Sequence, residues 1–138
     1  MADRIRRVRY WYTMVPDRPG RGAKVLDALA KARVNLLAYS GFPAGRHQSQ
    51  LDFVPEDGAA FQRAMRKAGL RLSAAKTGFL IAGADKVGVC ARIHGRLAKA
   101  KINVVAMDAV GAGRGRYGAI LWVKAKDVRK ATRALGAR

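Results

Sequence analysis

Hydrophobic and polar residues along the chain change period several times, and the changes divide it into short elements. Val8, Tyr10, Tyr12 and Met14 alternate with Arg9, Trp11 and Thr13, the two-residue period of a strand with one buried face. Pro16-Asp17-Arg18-Pro19-Gly20 interrupts it. From Gly22 to Ala32 the period becomes helical, with Val25, Leu26, Ala28, Leu29 and Ala32 on one stripe. A second strand is predicted at Val34 to Ser40, turn residues at Gly41 to Gly45 and a third strand at Gln48 to Val54. Asp57 is placed to cap a second helix whose Ala60, Phe61, Ala64, Met65 and Ala68 share a face, and Leu70 to Ala74 reads as a short fourth strand.

The same order then recurs. A strand is predicted at Thr77 to Ala82, a helix at Val87 to Ala100, strands at Ile102 to Val110 and Tyr117 to Lys124, and a helix at Asp127 to Leu135. Shifting the chain by 68 residues (17 to 85) lays Asp17-Arg18-Pro19-Gly20 on Asp85-Lys86-Val87-Gly88 and Lys24-Val25 on Arg92-Ile93. It also lays Leu29 to Asn35 on Leu97 to Asn103, and Gly45-Arg46 on Gly113-Arg114. A slip of one residue then matches Leu51-Asp52-Phe53-Val54 with Ile120-Leu121-Trp122-Val123. Matched Gly, Asp and Asn outside the helices argue for duplication rather than shared helix composition.

The fold expected is therefore α+β: two tandem ferredoxin-like βαββαβ units with antiparallel sheets, the second lacking an obvious fourth strand. The units are expected at residues 1–75, including a basic N-terminal arm at 1–7, and at residues 76–138. The bare edge of the second sheet calls for a cover, either the N-terminal residues or a partner subunit. Trp11 and Trp122, both on strands, suggest that the sheet face away from the helices is also partly buried.

The strand, the Asp17-Arg18-Pro19-Gly20 turn, the Ala/Leu helix and Val34-Asn35-Leu36 resemble the signature of the ACT domain, a regulatory amino-acid-binding module. Asp85 to Gly88 with Ile102-Asn103-Val104 form a looser second copy. The resemblance implies side-by-side pairing of modules, a homodimer bringing four units together, and an amino acid bound at the pairing interface beside the first strand–helix turn. Carried over residue by residue, the ligand-binding set is Asp17, Arg18, Gly20 and Asn35, with Asp85, Lys86, Gly88 and Asn103 in the second copy. Glycine at a helix start lets backbone approach a ligand, free N–H groups there favour a carboxylate, and Asp can accept an ammonium group. The plainer alternatives stay open: Asp17 and Asp85 as turn and capping residues, Asn35 and Asn103 as left-handed turn positions. The chain departs from the family pattern at Val15 and Gly83, where some ligand-binding members carry a polar side chain, and at Val87, which replaces the turn proline.

Composition narrows the functions. Lys and Arg outnumber Asp and Glu by 28 to 9, a net charge of +19 that attracts polyanions. A basic nucleic-acid-binding protein on the same fold is thus the rival reading. The Arg-Gly-aromatic pattern of base-stacking sheets is missing from the third strands, and Arg4, Arg63, Lys67 and Arg129 read as a solvated basic surface. Gly113-Arg114-Gly115-Arg116-Tyr117-Gly118 fits the dinucleotide pattern G-x-G-x-x-G, but a strand rather than a helix follows, so a hairpin is expected. His47 and His94 have no partners at metal-ligand spacing. Cys90, the single cysteine, reads as a small buried packing residue near a helix start. With no triad or carboxylate pair, no catalytic activity and no cofactor are expected. Neither a signal peptide nor a membrane-length apolar run is seen, and a cytoplasmic location is expected.

Overall fold

The computed structural model describes residues 3–138. Met1 and Ala2 of the expected basic arm lie outside the described residues. In chain order, the described elements are β1 (Arg4–Pro16), α1 (Arg21–Lys31), β2 (Leu36–Pro43), β3 (Gln48–Pro55), α2 (Gly58–Lys67), β4 (Lys76–Ala84), α3 (Val89–Lys99), β5 (Val104–Gly113), β6 (Arg116–Val123) and α4 (Val128–Leu135). A short 3-10 turn, Ala125–Asp127, precedes α4. The architecture is mixed α+β with antiparallel pairing at β1–β3, β2–β3, β4–β6 and β5–β6. The chain forms two compact units, one of Arg9–Lys76 and one of Thr77–Arg138 together with the residues up to Val8.

In the Arg9–Lys76 unit the strand order is β2-β3-β1. Alternate residues of β1 and β3 point toward α1 and α2, so Trp11, Val15, Leu51 and Phe53 join Val25, Leu29, Phe61 and Met65 in one core. Phe53, Phe61 and Met65 are fully buried. Trp11 and Phe53 each lie against Phe61, at centroid distances of 5.5 and 5.2 Å. Removing such an aromatic from a core costs about 3–5 kcal/mol. Trp11 therefore faces the helices, not the opposite sheet face as the sequence suggested. That opposite face is nonetheless buried at Val54.

The fourth strand predicted at Leu70 to Ala74 is not a regular strand. The segment still runs beside β1, where Ser73 N–H donates to the Tyr12 carbonyl at 2.9 Å. Tyr12 N–H donates to Ser73 Oγ at 3.0 Å, and the Thr13 hydroxyl donates to the Arg71 carbonyl at 2.5 Å. Side-chain hydroxyls thus do part of what ladder bonds would do, and this breaks the strand pattern.

In the second unit the order is β4-β6-β5, with β1 beside β4. The first residues of β1 belong here and take the place of the missing fourth strand. The arm, counted with the first unit from the sequence, groups with the second, where it takes the first of the two covers expected for that sheet edge. Ile5 enters the core formed by Phe79, Ile81, Ile93, Leu97, Leu121 and Leu135. Arg7 N–H donates to the Arg138 carbonyl, and Arg138 N–H to the Ile5 carbonyl, both at 3.1 Å.

Strand register corrects the repeat alignment. Trp11 pairs with Phe53 and Tyr39 with Phe53; 68 residues on, Phe79 pairs with Leu121 and Met107 with Leu121. Phe53 thus corresponds to Leu121 with no slip, and Leu51 to Ala119. The one-residue slip expected from aromatic similarity would have placed Phe53 on Trp122 and turned every side chain to the other face. The offset falls later: Phe61 and Met65 of α2 match Ala131 and Leu135 of α4 as the buried positions.

Candidate functional site

Both strand–helix turns open on a left-handed glycine. Gly20 (φ 89°) precedes α1 and Gly88 (φ 88°) precedes α3. A Cβ at either would meet nothing within 4 Å, so backbone conformation, not space, demands glycine there. Gly20 and Gly88 each accept a helical bond, from Lys24 N–H at 3.0 Å and Arg92 N–H at 2.9 Å. Neither helix carries an acidic residue in its first turn, so its N-terminal N–H groups meet no carboxylate of their own helix.

The first turn is tied to the hairpin that follows β2. Asp17 N–H donates to the His47 carbonyl at 2.9 Å, and the Ser49 hydroxyl donates to Asp17 Oδ1 at 3.0 Å. Beside it opens a cavity of about 310 Å³ whose lining includes Asp17, Arg18, Arg21, Tyr39, Phe42 and Ser49. Tyr39 and Phe42 stand on β2 and are 40% and 42% exposed. Burial pushes the Tyr39 phenol above its usual pKa, so its hydroxyl is a proton donor at neutral pH. The cavity joins a carboxylate, two guanidinium groups, two hydroxyls and aromatic surface.

Of the four residues expected in this copy, Asp17 and Arg18 line the cavity; Gly20 shapes the turn, and Asn35 stands apart from the lining. Asn35 is exposed and its carbonyl accepts from Glu56 N–H at 2.9 Å. Asn35 and Asn103 are not the left-handed positions either. Arg33 (φ 60°) and Lys101 (φ 61°), two residues earlier, take that conformation. Tyr39, Arg21 and Ser49 are not in the expected set: Arg21 directly follows Gly20 at the start of α1, whereas Tyr39 and Ser49 reach the turn only through the β2–β3 and β1–β3 pairing.

The second copy is built differently at the same place. Asp85 N–H donates to the Gly115 carbonyl at 2.9 Å, the counterpart of the Asp17–His47 bond. Lys86 and Val87 are exposed. Asp85 Oδ2 stands 2.8 Å from where a Cβ on Gly111 would lie, so its carboxylate leans on the β5 backbone. The larger difference is Asp3. Its carboxylate occupies the space a side chain at Gly83 would need, and Arg92 of α3 donates to it at 2.6 Å. Asp3 is 3% exposed at its side chain, so the arm seats a buried carboxylate beside α3. Tyr117, the counterpart of Ser49, is buried there, its phenol pushed up to about 12 by burial first and then by Asp3.

The remaining sequence candidates resolve simply. Gly113 to Gly118 form the β5–β6 hairpin, with Gly113, Arg114 and Gly115 all at positive φ, and no helix follows. Cys90 is exposed, not buried, because it lies on the solvent side of α3 between the core residues Val89 and Ile93. Among the described residues, no group of His, Cys, Asp and Glu is arranged to hold a metal ion, and no helix is long and apolar enough to cross a membrane.

No family model and no curated protein matches the sequence. Solved structures do. The regulatory subunit of aspartate kinase from Thermus thermophilus, in ligand-free form, superposes with a TM-score of 0.67 at 19% identity, over 99% of this chain and 95% of the other. The corresponding subunit from Thermus flavus gives 0.60 at 20% identity over the same shares. Protein BT0572 from Bacteroides thetaiotaomicron gives 0.81 at 17% identity, over 96% of this chain and 88% of the other. The chain has an ACT-like fold. At this level of identity the likeness is one of architecture, and it extends over nearly the full length of each.

Proposed function

We propose that this protein is a non-catalytic regulatory module that binds a small molecule, an amino acid, at the turn between β1 and α1. The observation that carries the reading is the cavity beside Asp17. A zwitterion needs one anionic and one cationic partner close together. Asp17 supplies the first, held in place by Ser49, while Arg18, Arg21 and the N–H groups behind Gly20 supply the second. Phe42 and the Tyr39 ring offer apolar surface to the ligand's side chain, and Gly22 and Gly41 keep the Tyr39 hydroxyl uncrowded. The fold likeness to regulatory subunits of aspartate kinase, one solved in a ligand-free form, supports a regulatory role rather than catalysis.

The second turn is less suited to a ligand: buried Tyr117 stands where Ser49 holds Asp17 in the first copy, and Asp3 takes the volume that Val15 takes there. The arrangement thus favours one amino acid per chain, through Asp17, Arg18 and Gly20, over a pair that includes Asp85, Lys86, Gly88 and Asn103. The cavity opens along β2, an edge strand, so a second copy pairing on that edge would cover the ligand. A homodimer linked to ligand occupancy is the assembly we infer from this.

A thermal-shift screen against the twenty amino acids tests the reading. Saturating ligand stabilises the folded state by RT ln(1 + [L]/Kd), about 2.7 kcal/mol at a hundredfold excess over Kd. One amino acid or a small set should raise Tm, and Asp17→Ala should abolish the rise while leaving the unliganded Tm within about 1 °C. No rise with any of them, together with salt-sensitive retention on nucleic acid, would transfer the function to the polyanion-binding reading that the +19 charge favours.

A further inference from the structure

A second cavity, of about 480 Å³, lies in the Arg9–Lys76 unit between the end of β1 and α1, on the side away from β2. Val15, Val25, Ala28 and Leu70 line it, and Arg21 and Lys24 stand at its wall. Among the described residues neither cation has an ion-pair partner. The volume lies within the range of small-molecule pockets, about 300–1,000 Å³, and the mix of apolar lining and few polar groups is typical of them.

The repeat shows what such a place accepts. Lys24 corresponds to Arg92, and Val15 to Gly83. In the second unit Arg92 holds the Asp3 carboxylate at 2.6 Å, and that carboxylate stands where a side chain at Gly83 would be. One half of the molecule therefore carries a built-in carboxylate against its helix cation, in the volume that Val15's own side chain takes in the other half; there the cation is kept, and beyond Val15 lies an apolar cavity instead of a carboxylate. We propose that this cavity binds an amphipathic monocarboxylate, the carboxylate on Lys24 and Arg21 and the apolar tail along Val25, Ala28 and Leu70. A free amino acid fits poorly, because no acidic residue lines the cavity to receive its ammonium group. The two cavities meet at Arg21, which lines both, but they differ in chemistry: Asp17 lines only the other and Lys24 only this one.

Sodium octanoate is the probe, titrated by calorimetry and by amide chemical-shift mapping on the full chain, with octanol and leucine as comparisons. Octanoate should bind saturably at one site and shift the amides of Val25, Ala28 and Leu70. Lys24→Met should weaken it roughly tenfold or more, as loss of a charge-assisted contact does. Ala28→Phe, which fills the cavity, should abolish it with circular dichroism unchanged; if that variant fails to fold, Lys24→Met alone decides. Lys67→Met, the same loss of charge on α2, should have no effect. Equal binding of octanol, equal weakening by Lys67→Met, absence of saturable binding, or shifts confined to residues around Asp17 would each overturn the proposal. An amino acid that binds through Asp17 while octanoate does not would leave the function above standing and remove only this site.

Discussion

At the scale of single residues, burial sets protonation. Tyr10 and Tyr117 are both buried, and both phenols are pushed up to about 12, chiefly by burial, then by Asp52 for Tyr10 and Asp3 for Tyr117. The usual value is 10.0, so between about 10 and 12 the unfolded chain releases phenolic protons that the folded chain keeps. The unfolded state then binds fewer protons, and stability falls as pH rises through that window. Denaturant midpoints measured with phenolate absorbance should decline from about pH 10 to 12, and the Tyr10→Phe, Tyr117→Phe double variant should flatten that decline; an unchanged slope would show that the phenols titrate normally. Residue identity made some of this molecule legible in advance and hid the rest. Asp17, Gly20, Asp85 and Gly88 stand where the Asp-x-x-Gly pattern puts them, because a strand-to-helix turn constrains local backbone and local backbone is written in local sequence. Asn35 misled for the opposite reason. Its chemistry suits a left-handed turn, but Arg33 takes that conformation, since the end of a helix is fixed by where its apolar stripe stops rather than by the best available turn former.

Elements were easier to find than their edges and registers. Each predicted helix is present, shifted by a residue or two, because the apolar stripe that buries Val25 and Leu29, or Ile93 and Leu97, repeats through several turns. Asp57 does cap α2, accepting from Ala60 N–H at 3.1 Å. Asp57→Ala should therefore cost about 1 kcal/mol, seen as a lower denaturation midpoint with an unchanged m-value. A loss under about 0.3 kcal/mol would mean that water satisfies the helix start equally well. The β3–β6 equivalence was misread by one residue because Phe53 and Trp122 look alike while Phe53 and Leu121 do not. Side-chain resemblance carries no information about which face of a strand a residue occupies; the partners Trp11 and Phe79, across the ladder, do. The segment 70–75 failed as a strand for a related reason: Ser73 and Thr13 divert backbone bonds through their hydroxyls, an option visible only when the two segments are side by side.

For the molecule as a whole, the decisive event is which sheet the first residues join. The basic stretch before Val8 is marked for this place only indirectly, as one of two covers that the second unit's missing strand calls for, since the vacancy it fills lies some seventy residues away, at β4. Its contribution is nevertheless countable in kind. Ile5 is 4% exposed within the second core, a burial that contributes on the order of 2 kcal/mol. The Asp3–Arg92 pair closes the space at Gly83, and two backbone bonds tie Arg138 to the arm. Deleting the residues before Arg9 removes all of these and bares the outer side of β4, a template for pairing with other chains. Hydrogen exchange read by mass spectrometry should then show amide protection falling in β4, α3 and β6 by at least tenfold, with α1 and β3 keeping theirs, and sedimentation should show larger species. Protection lost equally in α1 and β3 would mean that the arm acts on the chain as one cooperative body. Protection unchanged in β4 would mean that another segment takes the vacated edge. Because Asp3 travels with the arm, the deletion also frees Arg92, so octanoate should gain a second, weaker site in the truncated chain if a helix cation beside an open apolar space is what a carboxylate requires.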